Sequence, residues 1–197
     1  MPVVLSMSVP ASAVWHSWQT RGMSGERLGA SIAAIAGLVF ILINSGSLPG
    51  ETALLVRLLG IVAFALVWFA VIRRTSPGQH PMIPDPRARR IYWSSVTFEA
   101  LLIPLGASTL GRNHRPELVV PWVALVVGVH FLPFAKAFAV NGFRPLAWCL
   151  IGLAMIGGIF ALTLGATVGT VVAGVLSGVA LLTFSAYLGR VVTPNPG

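Results

Sequence analysis

The chain predicts an all-α fold, a polytopic membrane protein built as a six-transmembrane-helix bundle with both termini on the cytoplasmic side. Three observations predict it. Six apolar stretches of near-spanning length occupy most of the 197 residues. Hydrophobic residues make up 56% of the chain and charged residues only 9%, against the about 25% charged residues of a soluble domain. The arginines gather in some of the connections and avoid others.

A bilayer's hydrocarbon core is about 30 Å thick and takes roughly 20 apolar residues of helix to cross. The predicted spans run over 28–45, 52–72, 91–110, 118–138, 146–164 and 168–188. Backbone polar groups in lipid must be satisfied within the segment, so each span is predicted to be helical. The organisation follows: an N-terminal cytoplasmic segment 1–27, a transmembrane domain 28–189 and a short C-terminal tail 190–197. Residues 1–22 lack the basic start of a signal peptide. The run Met23-Ser24-Gly25-Glu26-Arg27 reads as an alternative translation start.

Arg73, Arg74, Arg87, Arg89 and Arg90 crowd the connection between spans two and three, and Lys136 and Arg144 flank that between four and five. Arg21, Arg27 and Arg190 lie near the termini, and the other side offers Arg112 and Arg115. The positive-inside rule then puts both ends in the cytoplasm. Trp68, Trp93 and Trp148 fall near the cytoplasmic interface and Trp122 near the outer one, as an aromatic belt would place them. Residues 76–86, with four prolines, form an extended linker. The net charge of +8 is read as orientation and contact with anionic lipid rather than nucleic-acid binding, because no basic patch is interleaved with aromatics. The lone Cys149 allows no internal disulfide.

Ionisable groups at membrane depth are costly, which makes them functional candidates. Glu99 stands about eight residues into the third span, roughly 12 Å from its cytoplasmic end, with Tyr92, Ser95 and Gly106 on its helical face. His130 stands about as far from the cytoplasmic end of the fourth span. Glu99 and His130 are therefore expected at similar depth on neighbouring helices, although helical side chains lean toward their own N-termini and these two lean apart. Pro133 removes a backbone donor and disturbs the Val129 carbonyl beside His130. The pocket candidates are thus Glu99, His130, Tyr92, Ser95 and Pro133. A plain structural hydrogen bond between two helices is the competing reading. Arg57 and Asn44 are outer-side polar residues, with Arg57 snorkelling and Asn44 as its expected partner.

Small residues recur at four-residue spacing. Gly165, Gly169, Ala173 and Ser177 form one ridge of the sixth span, and Gly174 and Gly178 a second. Ala30 and Ala34, and Ala33 and Gly37, do the same in the first span. In lipid, helices associate by close backbone approach at such residues. They are expected to pack the bundle internally; the alternative is a face for a homo-oligomer or a membrane-protein partner. No H-E-x-x-H motif and no paired carboxylates are present, and neither a metal nor a cofactor is implied.

The segment 127–136 carries Gly128-x-His130-Phe131-x-Pro133-x-Ala135. It resembles a segment of small bacterial multi-pass membrane proteins with a G-x-H-F-x-P-x-A pattern in a late span. The resemblance covers this span alone. It implies a multi-pass fold and draws attention to His130 and Pro133, and it implies no activity. The functional expectation is a small solute- or proton-linked binder or carrier in the bacterial inner membrane, with a cytoplasm-facing polar pocket. The alternative is a non-catalytic assembly or regulatory subunit.

Overall fold

The computed structural model describes residues 25–74, 86–137 and 142–191, and every element among them is helical. Six long helices follow one another: α1 (Gly25–Asn44), α2 (Gly50–Arg74), α3 (Pro86–Arg112), α4 (Val119–Ala137), α5 (Phe143–Thr163) and α6. The last consists of Ala166–Thr170, a π-helical stretch Val171–Val175 and Leu176–Val191. Short 3₁₀ turns at Ser45–Ser47 and Pro116–Leu118 precede α2 and α4. Residues 1–24, which include Met23 of the alternative start, residues 75–85 of the proline-rich linker and residues 192–197 of the tail lie outside the described residues.

Five helical stretches are long and apolar enough to cross a membrane: Gly29–Ser47, Gly50–Ala70, Pro116–Ala135, Phe143–Thr163 and Ala166–Leu188. This is a multi-pass integral membrane protein. The surface agrees, since Leu54, Leu58, Leu66, Leu101, Leu105 and Ile159 are all more than half exposed. Such continuous apolar surface on a soluble monomer would be an aggregation site; here lipid covers it.

The expected third span falls short of the apolarity of the other five. Ser94, Ser95, Thr97, Glu99 and Pro104 dilute it. The helix itself is 27 residues long and starts at Pro86, five residues before the expected boundary. Proline suits a first helical position, where its missing N–H would lack a partner anyway. Arg87, Arg89 and Arg90 follow in the first turns, with no acidic residue there, against the preference of the helix dipole. That dipole effect is only about 0.3–1 kcal/mol, and a bias that orients helices in a bilayer can override it.

The helices pack as neighbours in the order α3, α4, α5, α6, α1, α2. The most extensive contacts are α4 with α5, α5 with α6 and α1 with α6, and α3 packs chiefly on α4. The α2 span is peripheral, with only 11% of its residues buried. The core lies between α1, α4, α5 and α6, around Ala33, Phe131, Ala147, Leu150, Leu181 and Phe184.

Small residues set the closest approaches. A β-carbon at Gly37 would stand 2.8 Å from the carbonyl oxygen of Gly178, and one at Gly178 would stand 2.6 Å from that of Gly37. Between α5 and α6, a β-carbon at Gly169 would lie 2.5 Å from the Ala161 Cβ, and one at Gly157 would lie 2.6 Å from the Ala173 Cβ. One ridge of α6 therefore meets α5 and the other meets α1. Gly165 differs from its expected role. It sits in the α5–α6 turn at φ 107°, with no atom near enough to meet an added β-carbon. Its contribution is a backbone conformation that L side chains rarely adopt.

The π-helical stretch occurs where α6 passes the end of α1. Gly174 lies in it, and a β-carbon there would stand 2.5 Å from the Asn44 Cβ. The Asn44 side chain turns back and donates from Nδ2 to the Phe40 carbonyl at 2.7 Å. Ser185 Oγ donates across the same helix pair to the Ala30 carbonyl at 2.7 Å. Ser177 is fully buried, and its hydroxyl has no hydrogen-bond partner.

Candidate functional site

Glu99 and His130 meet at the α3–α4 interface. His130 Nδ1 lies 2.9 Å from Glu99 Oε2, with the His130 side chain 11% exposed and that of Glu99 25% exposed. Glu99 is midway along α3, thirteen residues from either end, and His130 is seven residues from the end of α4. The two side chains lean toward opposite ends of the bundle. They meet because the longer α3 holds Glu99 about 9 Å further from the N-terminal end of its helix than His130 is from the C-terminal end of α4, at the usual helical rise.

The contact is close without being aligned. Nδ1 makes no hydrogen bond, because the carboxylate oxygen lies off the direction of a ring N–H. The pair can nevertheless share one proton. Carboxylate with imidazolium and carboxyl with imidazole both sum to zero net charge, the total that membrane depth penalises least.

Aromatic rings wall one side of the pair. The Phe134 ring is 4.3 Å from that of His130, one helical turn earlier. Tyr92 stacks on Phe134 at 5.5 Å. Phe131 stacks on Phe143 at 5.7 Å, and Phe143 reaches Phe184 at 5.3 Å. The imidazole is thus backed by a continuous apolar wall from α4, α5 and α6. Ser95 is half-buried, one turn before Glu99 on the α4-facing side of α3. Pro133 is half-buried, three residues after His130. The structure thus brings Glu99 to His130 and sets Phe134 against His130 and Tyr92, while Ser95 and Pro133 lie half-buried on the same two helices.

Nearer the other end, Trp122 Nε1 donates to the Leu102 carbonyl at 3.0 Å. Gly106 makes that possible, since a β-carbon there would run into the indole. This contact fixes α3 against α4, with Leu102 about one turn and Gly106 about two turns beyond Glu99. The sequence alone marks Trp122 only as a belt residue and Gly106 only as a member of the Glu99 face. It does not single out the wall residues Phe134, Phe143 and Phe184; the spacing of His130 and Phe134 by four is the available signal.

Arg57 and Asn44 do not pair as expected. Arg57 Nε donates to Ser45 Oγ at 3.1 Å, one residue beyond Asn44. Ser45 is available because the chain leaves α1 in a 3₁₀ turn that points its side chain inward, where it is fully buried. Among the described residues no group of three or more His, Cys, Asp or Glu could hold a metal ion. No family model matches the chain, and no curated protein or solved structure matches it.

Proposed function

We propose that the protein is a small proton-linked binder or carrier whose working pair is Glu99 and His130. The carrying observation is their 2.9 Å approach at membrane depth on adjoining helices. A pair that holds one proton at zero net charge can exchange that proton for a monovalent cation, or take up a second proton together with a monovalent anion, with little electrostatic change at depth. The pocket comprises Tyr92, Ser95, Glu99, His130 and Pro133, and it faces the cytoplasm. All six helices span, with both ends inside; α3 is long enough for this, and its polar residues are tolerated where they face α4. The arginine distribution supports the orientation, and the Gly128–Ala135 pattern makes a bacterial inner membrane the natural setting.

The assembly-subunit reading draws no support from the small-residue ridges of α6, because α1 and α5 occupy them. The test is solute-dependent proton movement in pyranine-loaded proteoliposomes across panels of small organic cations and anions. Glu99→Gln should abolish the solute-dependent signal while the variant still melts in a cooperative transition in detergent. A signal that survives both Glu99→Gln and His130→Ala would overturn the reading.

A further inference from the structure

We propose that the groove between α1, α2 and α6 holds one acyl chain of an anionic phospholipid whose phosphate sits on Arg57. The groove encloses about 470 Å³, walled by Val56, Ala63 and Val67 of α2 and by Val175, Thr183 and Ala186 of α6. Its lining demands no polar ligand, since Thr183 Oγ1 already donates to the Val179 carbonyl at 2.8 Å. The walls run eleven residues along each helix, from 56 to 67 and from 175 to 186. That is about 16 Å at the helical rise, close to the ~15 Å that one leaflet contributes to the hydrocarbon core.

A cation stands at one end. Arg57 follows Val56 in sequence, outside the lining itself, and its Nε is tied to Ser45 Oγ in the α1–α2 turn. Its stem leans toward that end of the bundle. Neither ion pair among the described residues involves Arg57, so its remaining guanidinium nitrogens are free for phosphate, which arginine binds in a bidentate fork. The combination of a fixed cation and a trough one leaflet deep matches a phospholipid. A helix from a second copy would need a trough of full membrane depth and no cation. The site is on α1, α2 and α6, separate from Glu99 and His130, and does not depend on the proposed activity.

The test is native mass spectrometry of the protein in neutral detergent, titrated with phosphatidylglycerol and phosphatidylcholine of identical chains. One phosphatidylglycerol should be retained, bound about fivefold more tightly than phosphatidylcholine, the weight of one basic residue against an anionic lipid. Arg57→Gln should remove that preference. Thr183→Phe, at an exposed position in the trough, should weaken both lipids; Ala63→Leu, from the opposite wall, should do the same. Equal retention of the two lipids by the wild type would overturn the proposal, as would unchanged phosphatidylglycerol binding in Arg57→Gln or in both trough variants. A lipid-free dimer broken by Thr183→Phe would also overturn it, making the groove an interface between copies.

Discussion

Glu99 Oε2 lies 2.9 Å from His130 Nδ1 across the α3–α4 interface, so two residues thirty-one apart in sequence meet on neighbouring helices. Their energetic coupling should be measurable. In a double-mutant cycle of Glu99→Gln and His130→Ala on unfolding in detergent, the effects should depart from additivity by about 0.5–3 kcal/mol, as contacting pairs do. Strict additivity would mean that the approach carries no interaction energy, and the proton-sharing argument would lose its basis.

The glycine contacts of α6 should be intolerant of bulk on both faces. Gly169 and Gly178 face carbonyl oxygens of α5 and α1 at distances no β-carbon can adopt, whereas Val179 is 47% exposed. Gly169→Leu and Gly178→Leu should each destabilise by at least the about 1–3 kcal/mol typical of overpacking. Val179→Leu should leave stability within about 0.5 kcal/mol, as exposed substitutions do. Equal effects in detergent unfolding would mean that α6 does not approach α1 and α5 this closely in a membrane mimic.

Helix existence and small-residue packing are legible in the sequence because both are written in local pattern. Apolar runs define the helices, and glycine spacing defines which faces approach. The approach of Glu99 to His130 is legible only as a coincidence of depth, since its geometry depends on the extra turns of α3 before Ile91, which hydropathy does not register. The Arg57 partner departs from expectation for a similar reason. A 3₁₀ turn rather than a continued helix brings Ser45, not Asn44, to the guanidinium. The aromatic wall joins α3, α4, α5 and α6, and no local pattern within one span encodes contacts among four.

The Trp122–Gly106 contact gives a graded test of how α3 is held. Trp122→Phe keeps an aromatic ring and removes the bond to the Leu102 carbonyl, which should cost about 1 kcal/mol. Gly106→Ala forces the indole out and should cost more, about 1–3 kcal/mol, because the hydrogen bond and the packing go together. If the alanine variant is the milder of the two in detergent melting, the indole does not sit against Gly106.

The orientation can be tested with cysteine chemistry, because Cys149 is the single native thiol. In a Cys149→Ser background, Asn113→Cys places a thiol in the α3–α4 connection, where Asn113 is exposed between Arg112 and the Arg115–Glu117 ion pair of 3.5 Å. Arg89→Cys places one at the opposite end of the same helix, also at an exposed residue. In intact cells a membrane-impermeant maleimide should label Asn113→Cys, and Arg89→Cys should react only after permeabilisation. The arginines argue for this side because basic residues in short connections are retained in the cytoplasm. Labelling of Arg89→Cys from outside, with Asn113→Cys protected, would invert the bundle and turn the Glu99–His130 pocket to face outward. Labelling of both from outside would mean that α3 does not span, and Glu99 would then have no membrane depth to explain.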